Sequence, residues 1–395
     1  MSKLFYIFYI VIVFTGCVQL ELEDKSNESI PNYSITIPIN AVNPESRSNL
    51  IPLDDNSVIM AIESDFSEIA IMRYTQDFEN DVWSQSSSIE SEIGNGRLLF
   101  FDKLNNNYLL GFINSSDNFE VQYLDSQFNS IGMVNDYEIF IDTFYNDIDS
   151  LVISDFSYVN KRQEILLGGF LYSQGKTYSC VLNVNENLEP LWIKTYFENS
   201  EITDLVSLNQ DSFLLVQNTV GEGADLIRDN ESSSAYHKYN LSKDNLFFGN
   251  QTFIDNERIF LTGIHNSVGR LIEVDIVNVS AFVNEVEIYP ISDFRAVYLS
   301  RDNIVTSGIQ SEMGQSFQFS SELSEVGSIW CHRYTDERYF KILDIIEMPG
   351  KGIMISSIVE VQQEYFIHLT RIDEEGARFD ENGSFVENQY TENCL

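Results

Sequence analysis

Residues 165–196, ILLGGFLYSQGKTYSCVLNVNENLEPLWIKTY, carry the pattern that decides the fold class. An apolar run from Ile165 to Phe170 opens the stretch, and a polar turn leads into the closing run from Leu191 to Tyr196. Short apolar or alternating runs between turn residues are typical of antiparallel strands. Helical periodicity is nearly absent from the chain. The stretch therefore predicts consecutive β-strands.

Apolar runs like the one at residue 165 recur along the chain. Each follows turn-forming residues, and successive runs start 45 to 57 residues apart. The seven runs begin at Val58, Tyr108, Ile165, Phe213, Ile259, Ile304 and Ile353. Four strands in a period of ~45 residues match a propeller blade. We therefore predict an all-β fold, a seven-bladed β-propeller of four-stranded antiparallel blades.

The three tryptophans provide a second mark of the repeat. Trp83, Trp192 and Trp330 each follow an aliphatic residue and a polar hairpin, and they are 109 and 138 residues apart. These separations are close to two and three periods. We predict that the tryptophans occupy equivalent positions in the fourth strands of their blades.

The repeats also define the domain organisation. A single propeller domain is predicted for residues 33–395, with repeats over about 49–385 and a polar C-terminal tail. Residues 33–39 form a strand without a repeat of their own, whereas the last repeat ends in a polar segment. We predict that residues 33–39 pair into the seventh blade and close the ring. A β-solenoid or two consecutive β-sandwiches are the alternative folds, although they account less well for the period.

The amino terminus has the layout of a secretory signal. Lys3 precedes an apolar run from Leu4 to Phe14, which is too short to span a bilayer, and Cys17 follows. We predict a signal peptide over residues 1–16 and a lipidated tether over 17–32. The segment from Phe14 to Cys17 resembles the lipobox of bacterial lipoproteins, which implies acylation of Cys17 and attachment to a membrane. The alternative is an ordinary cleavable signal in which Cys17 is incidental.

Two further features resemble lipoproteins of Bacteroidota. An acidic patch behind Cys17, from Glu21 to Asp24, is similar to their surface-export signal. The Gly-Gly second strand at residues 165–170, with the Leu-Trp fourth strand at 191–196, resembles their propeller lipoproteins. The resemblance implies a propeller on the outer membrane, facing the cell exterior, and it implies no particular activity.

The charge balance restricts the partners. The chain has 23 Lys and Arg against 61 Asp and Glu, a net charge of −38. Nucleic acid is excluded as a partner because its phosphates require a basic surface. The expected contacts are the membrane through the lipid and an outer-membrane or surface protein, with a glycan as the alternative.

No catalytic residue, metal site or cofactor is predicted. The four histidines lie in different repeats, the cysteines form no disulfide framework, and hydrolase and phosphate-binding motifs are missing. Asp142 to Asp149 is interpreted as solvated charge rather than a Ca²⁺ site. Glycoside hydrolysis by carboxylates at the propeller mouth stays open as an enzymatic alternative.

Two polar insertions are candidate partner-contact loops, because loops on rigid scaffolds often carry recognition. Residues 221–234 include Asp225 and Asp229, and residues 139–148 include the aromatic residues Phe140, Phe144 and Tyr145. Neutral loop variation is the competing interpretation. We expect a non-enzymatic protein-interaction module or accessory subunit of an outer-membrane assembly. The alternative is a surface glycan-binding protein or glycoside hydrolase.

Overall fold

The structure is a computed structural model composed of β-strands and their connections. It describes residues 34–42, 46–55, 57–63, 68–77, 82–89, 96–116, 118–134, 148–159, 161–208, 211–231, 235–240, 247–254, 258–265, 268–275, 282–288, 291–298, 304–312, 315–324, 327–334, 338–349, 352–372, 376 and 388–390. All elements assigned within these residues are strands, which form seven antiparallel sheets. The predicted all-β fold is confirmed, and six of the seven described sheets have the predicted four antiparallel strands, whereas the sixth has five.

The first strand of the chain, β1 (Ser34–Val42), belongs to the last sheet, and the first three complete sheets follow it. The first sheet contains β2 (Ser48–Pro52), β3 (Val58–Glu63), β4 (Ile69–Asp77) and β5 (Val82–Ile89). The second contains β6 (Gly96–Leu104), β7 (Asn107–Asn114), β8 (Phe119–Leu124) and β9 (Ser130–Val134). The third contains β10 (Ile148–Val159), β11 (Glu164–Ser173), β12 (Lys176–Asn185) and β13 (Pro190–Glu198).

The remaining four sheets continue the same order. The fourth contains β14 (Ser200–Ser207), β15 (Ser212–Thr219), β16 (Gly223–Asn230) and β17 (His237–Asn240). The fifth contains β18 (Phe247–Ile254), β19 (Arg258–His265), β20 (Val268–Asp275) and β21 (Phe282–Ile288). The sixth contains β22 (Ile291–Tyr298), β23 (Ile304–Glu312), β24 (Gln315–Ser324), β25 (Gly327–Tyr334) and β29 (Asn388–Tyr390). The seventh contains β26 (Arg338–Glu347), β27 (Ile353–Val361), β28 (Glu364–Ile372) and β1.

Contacts between the first strands of the sheets run in a cycle. Among the described residues β2 contacts β6, and the contacts continue through β10, β14, β18, β22 and β26 back to β2. Sheets that meet around a common centre in this way form a β-propeller. β1 pairs antiparallel with β28, which is where the sequence pattern placed the closing strand, although Tyr33 lies outside the described residues. The first strand of the described residues therefore completes the seventh sheet.

The second strand of each sheet explains the apolar runs. β15 is buried along its whole length, and the buried side chains of neighbouring sheets pack together in shared clusters. One such cluster joins Leu109 of the second sheet to Ile153 and Leu167 of the third. A strand covered on both faces is apolar at consecutive positions. Each fully buried aliphatic side chain contributes about 1.5–3 kcal/mol.

The Gly-Gly pair of the third sheet permits a close approach between two strands. Gly169 lies opposite Ile153, and the register between β10 and β11 shifts immediately afterwards. A Cβ atom at Gly169 would stand 2.0 Å from the carbonyl oxygen of Val152. The glycine thus allows β10 to bulge against its neighbour, and the bulge determines which side chains point toward the centre.

Candidate functional site

The central site is built by bulges in the first strands. In six of the seven sheets the described register between first and second strand shifts across one residue. A β-bulge bends the strand and re-aims the side chains beside it. In four of these sheets the residue after the shift is an aspartate, namely Asp155, Asp204, Asp293 and Asp344. The bulges therefore place an acidic residue at equivalent points of the inner ring.

Carboxylates join neighbouring sheets through main-chain N–H groups. The backbone N–H of Leu205 in β14 donates to Oδ2 of Asp155 in β10, over 2.6 Å. The N–H of Leu50 in β2 donates to Oδ2 of Asp344 in β26, over 2.7 Å, and so connects the seventh sheet to the first. Hydrogen bonds to a charged acceptor are stronger than neutral ones. We call these two contacts the carboxylate clamps.

Burial raises the pKa of two aspartates in the first strands, Asp155 and Asp102. Loss of solvation raises the pKa of Asp155 to about 7, against the lowering effect of the N–H donors of Leu205 and Phe156. The negative charge of Asp102 adds a smaller rise to the same pKa. Burial also raises the pKa of Asp102 itself. The carboxyl of Asp155 therefore changes charge near neutral pH.

The clamps line a polar cavity of about 360 Å³ at the centre of the ring. Its described lining includes Asp155, Asp204 and Asp344 together with two cations, Arg47 and Lys341. No histidine or cysteine belongs to that lining, and no group of three or more His, Cys, Asp or Glu in the described part of the chain could hold a metal ion. Two of the three lining aspartates bind main-chain N–H groups, so their chemistry there is structural.

These aspartates were not predicted from the sequence, although the chain contains a signal for them. An Ile-x-Asp triplet recurs in first strands at residues 153–155, 202–204, 291–293 and 342–344, and one further copy at 227–229 lies in a third strand. The second and fourth triplets follow their predecessors by about one period and the third by about two, so the triplet has the repeat spacing. A search for periodic polar residues would have found it, whereas the apolar runs drew attention to the second strands.

The predicted polar insertion at residues 221–234 is wrong for its described part. Residues Gly223–Asn230 form β16, the third strand of the fourth sheet, and Asp225 and Asp229 are buried. Their charges are balanced by lysines on outer strands: Nζ of Lys238 is 2.8 Å from Asp225 Oδ2, and Nζ of Lys194 is 3.2 Å from Asp229 Oδ2. The polar composition therefore reflects buried ion pairs and not a solvated loop.

An aromatic group covers these ion pairs at the outer edge of the third and fourth sheets. The ring of Tyr236 meets Tyr196 and Phe197 edge-to-face, with centroids 5.7 and 5.8 Å apart. Tyr196 donates to Asp229 Oδ2 over 2.8 Å, and burial raises the pKa of this phenol. Lys238 Nζ lies 4.2 Å from the centroid of Phe197. We call Tyr196, Phe197 and Tyr236 the rim cluster.

A cleft of about 490 Å³ opens between the third and fourth sheets, on the face that carries the hairpins between second and third strands. Its lining comes from both hairpins and from the link between β13 and β14. Phe170 and Thr177 belong to the third sheet, Glu201 and Thr219 to the fourth. Its volume is in the usual range for small-molecule sites.

The other predicted site residues lie as follows. Trp83, Trp192 and Trp330 are in β5, β13 and β25, each the fourth strand of its sheet in chain order. Cys17, together with Phe140, Phe144 and Tyr145, lies outside the described residues. Cys180 is buried as a free thiol whose pKa is raised by burial. The described residues include no helix long and apolar enough to cross a membrane.

Comparisons with known proteins give similarities to solved structures and no match by sequence. No protein-family model matches the chain, and no curated protein matches it. The chain is similar to a solved structure described as "Structure of Dos1 propeller", with 13% identity and a TM-score of 0.49 over 91% of this chain and 94% of that chain. The fold follows from the order of the sheets and the contacts between them.

Proposed function

We propose that the protein is a lipid-anchored, non-enzymatic interaction module of the outer membrane, facing the cell exterior and built on a seven-bladed propeller. The predicted signal sequence and Cys17 support the anchor, and the acidic residues behind Cys17 support surface exposure. The seven sheets of the described residues, with their cyclic contacts, support seven blades. A tethered rigid ring of this kind is suited to holding a partner protein at the membrane.

The observation that carries the binding function is the engagement of the central carboxylates. A glycoside hydrolase using carboxylates in this region needs one free acid and one free base or nucleophile. Asp155 and Asp344 instead accept hydrogen bonds from the main chain of the next sheet. These hydrogen bonds favour a structural role for the two carboxylates, and a binding function for the protein, over catalysis.

The rim cluster is the surface we assign to the partner protein. Tyr236 is 38% exposed, and its ring is held by Tyr196 and Phe197 above the buried ion pairs. Rigid tyrosines lose little conformational entropy on binding, and aromatic residues dominate the energies of protein interfaces. Truncation of Tyr236 should therefore weaken the complex without disturbing the ring.

Copurification from native membranes tests the anchor and the partner together. Wild-type protein with a C-terminal tag, a Cys17→Ala variant and a Tyr236→Ala variant are extracted in mild detergent and passed over an affinity column and a sizing column. The matched control is Phe340→Ala, because Phe340 is also 38% exposed and also forms an edge-to-face pair, with Tyr365 of the seventh sheet.

We expect an outer-membrane protein to coelute in stoichiometric amount with wild type and with Phe340→Ala. Tyr236→Ala should stay on the membrane and lose the partner, and Cys17→Ala should leave the membrane. A wild-type protein that elutes alone contradicts the interaction function, and a Cys17→Ala variant that stays on the membrane contradicts the lipid anchor. Equal loss of the partner with both aromatic variants contradicts the rim cluster as the contact.

A further inference from the structure

The cleft between the third and fourth sheets has rigid walls. The backbone N–H of Asn199 donates to the carbonyl of Thr177 over 2.6 Å, and the N–H of Val220 donates to the carbonyl of Asn199 over 3.0 Å. These two bonds fasten the link between the sheets to a hairpin on each side. Asn199 holds a left-handed backbone conformation with a φ of 57°, which asparagine tolerates better than most residues. The cleft is therefore preformed.

A polar layer lies beneath the cleft, at a place where apolar packing would be expected between two sheets. The hydroxyl of Ser179 donates to Oε1 of Gln217 over 2.8 Å, and Oγ of Ser200 is 3.0 Å from Oγ of Ser179. All three residues are buried. Buried polar networks cost desolvation energy, so they call for a specific explanation.

The layer is incomplete on the side of the cleft. Thr219, which lines the cleft, is buried, and its Oγ1 has no hydrogen-bond partner. The same holds for Oδ1 of Asn218, a second lining residue, and for Nε2 of Gln217 two positions before Thr219. Unsatisfied buried polar atoms are rare in native proteins. Because Thr219 and Asn218 line the cleft, a ligand bound there is the group that would satisfy these atoms.

The rest of the lining defines the chemistry of that ligand. Glu201 is an exposed carboxylate beside the opening, whereas no Lys, Arg or His is among the described residues that line the cleft. Together with the net charge of −38, this disfavours an anion. Phe170 supplies an apolar wall, and Val220 is 84% exposed. The cleft thus combines hydrogen-bonding groups for hydroxyls with an apolar face.

We propose that the cleft binds a neutral, hydroxyl-rich ligand, namely one or two sugar units of a glycan. The hydroxyl of Thr219 and the carboxylate of Glu201 bind sugar hydroxyls, and the ring of Phe170 contacts the C–H face of the sugar. This inference does not depend on a protein partner at the rim cluster, because the two surfaces share no residue.

The test uses the Cys17→Ala protein and its ability to bind uncharged sugars. The probes are the methyl glycosides of glucose, galactose, mannose and N-acetylglucosamine, together with cellotetraose and xylotetraose. Saturation-transfer NMR identifies the sugar that binds, and calorimetric titration measures its affinity. The variants are Thr219→Val and Glu201→Gln, with Thr370→Val as the matched control. Thr370 is also a buried threonine with an unpartnered Oγ1, but it lies in β28 of the seventh sheet.

We expect at least one sugar to bind, and we expect Thr219→Val to weaken it about tenfold, as the loss of one hydrogen bond predicts. Glu201→Gln should weaken binding several-fold, whereas Thr370→Val should leave the affinity unchanged. Thr219→Val should keep the wild-type melting temperature or raise it, because it removes an unsatisfied hydroxyl. The proposal is overturned if no probe binds, if Thr219→Val binds like wild type, or if Thr370→Val loses as much affinity as Thr219→Val.

Discussion

Replacement of Asp344 by alanine tests whether the carboxylate clamps hold the ring together. Asp344 Oδ2 accepts the N–H of Leu50, a buried residue, and this bond joins the last sheet to the first. A hydrogen bond to a charged group contributes about 1.5–3 kcal/mol, and a buried N–H left without a partner costs a similar amount. We expect Asp344→Ala to lower the free energy of unfolding by ~2 kcal/mol. Asp344→Asn should lose less, because its amide oxygen still accepts the bond.

The assay is equilibrium unfolding in urea, followed by tryptophan fluorescence and circular dichroism in the Cys17→Ala background. Asp149→Ala is the control, because Asp149 is an exposed carboxylate in the first strand of the third sheet. Exposed substitutions of this kind change the free energy of unfolding by about 0.5 kcal/mol or less. An Asp344→Ala protein as stable as Asp149→Ala would refute the role of the clamp.

Three further predictions concern burial. The pKa of Asp155 is about 7 in the folded protein and near 4 in the unfolded chain, so this carboxyl lowers the stability of the folded state as the pH rises from 4 to 7. The urea midpoint of Asp155→Asn should therefore rise relative to that of wild type between pH 4 and pH 8. A constant difference between the two midpoints would contradict the raised pKa. Gly169→Ala should lower the free energy of unfolding by ~2–3 kcal/mol, because its Cβ would clash with the carbonyl oxygen of Val152. Gly132→Ala is the control, because its Cβ would have ordinary contacts, and it should unfold like wild type in the same urea titration. Cys180 is buried with a raised thiol pKa, so mass spectrometry should find it unmodified by iodoacetamide at pH 8 until urea unfolds the protein.

The repeated strands could be predicted from the sequence, because a strand buried on both faces has apolar residues at consecutive positions. Every run predicted as a second strand begins within one residue of a strand in the structure, as at Val58, Ile304 and Ile353. The closing strand was also visible, since a strand at 33–39 without its own repeat needs a sheet with a vacant edge. β1 occupies that edge beside β28.

The polar parts of the site could not be predicted in the same way. The segment around Asp225 and Asp229 has the polar composition of a loop, although it forms a buried strand. Its burial depends on ion pairs with Lys238 and Lys194, which come close only in three dimensions. The cleft is assembled from separate segments of two sheets, which no local pattern connects. Its unsatisfied hydroxyl at Thr219 becomes apparent only when hydrogen-bond partners are counted.

Disulfide trapping of the closing strand tests the closed ring most directly, because β1 from the beginning of the described residues completes the last sheet. Ser34 in β1 lies opposite Thr370 in β28, and directly opposed residues of antiparallel strands are close enough for a disulfide. Ser34→Cys with Thr370→Cys is prepared in a background that carries Cys17→Ser, Cys331→Ser and Cys394→Ser. The control combines Ser34→Cys with Ser357→Cys, because Ser357 is one strand further away in β27. We predict a cross-link, seen on non-reducing gels and by peptide mass spectrometry, in the first pair alone. Failure of that pair to cross-link, or equal cross-linking in both pairs, would contradict a ring closed by the first strand of the chain.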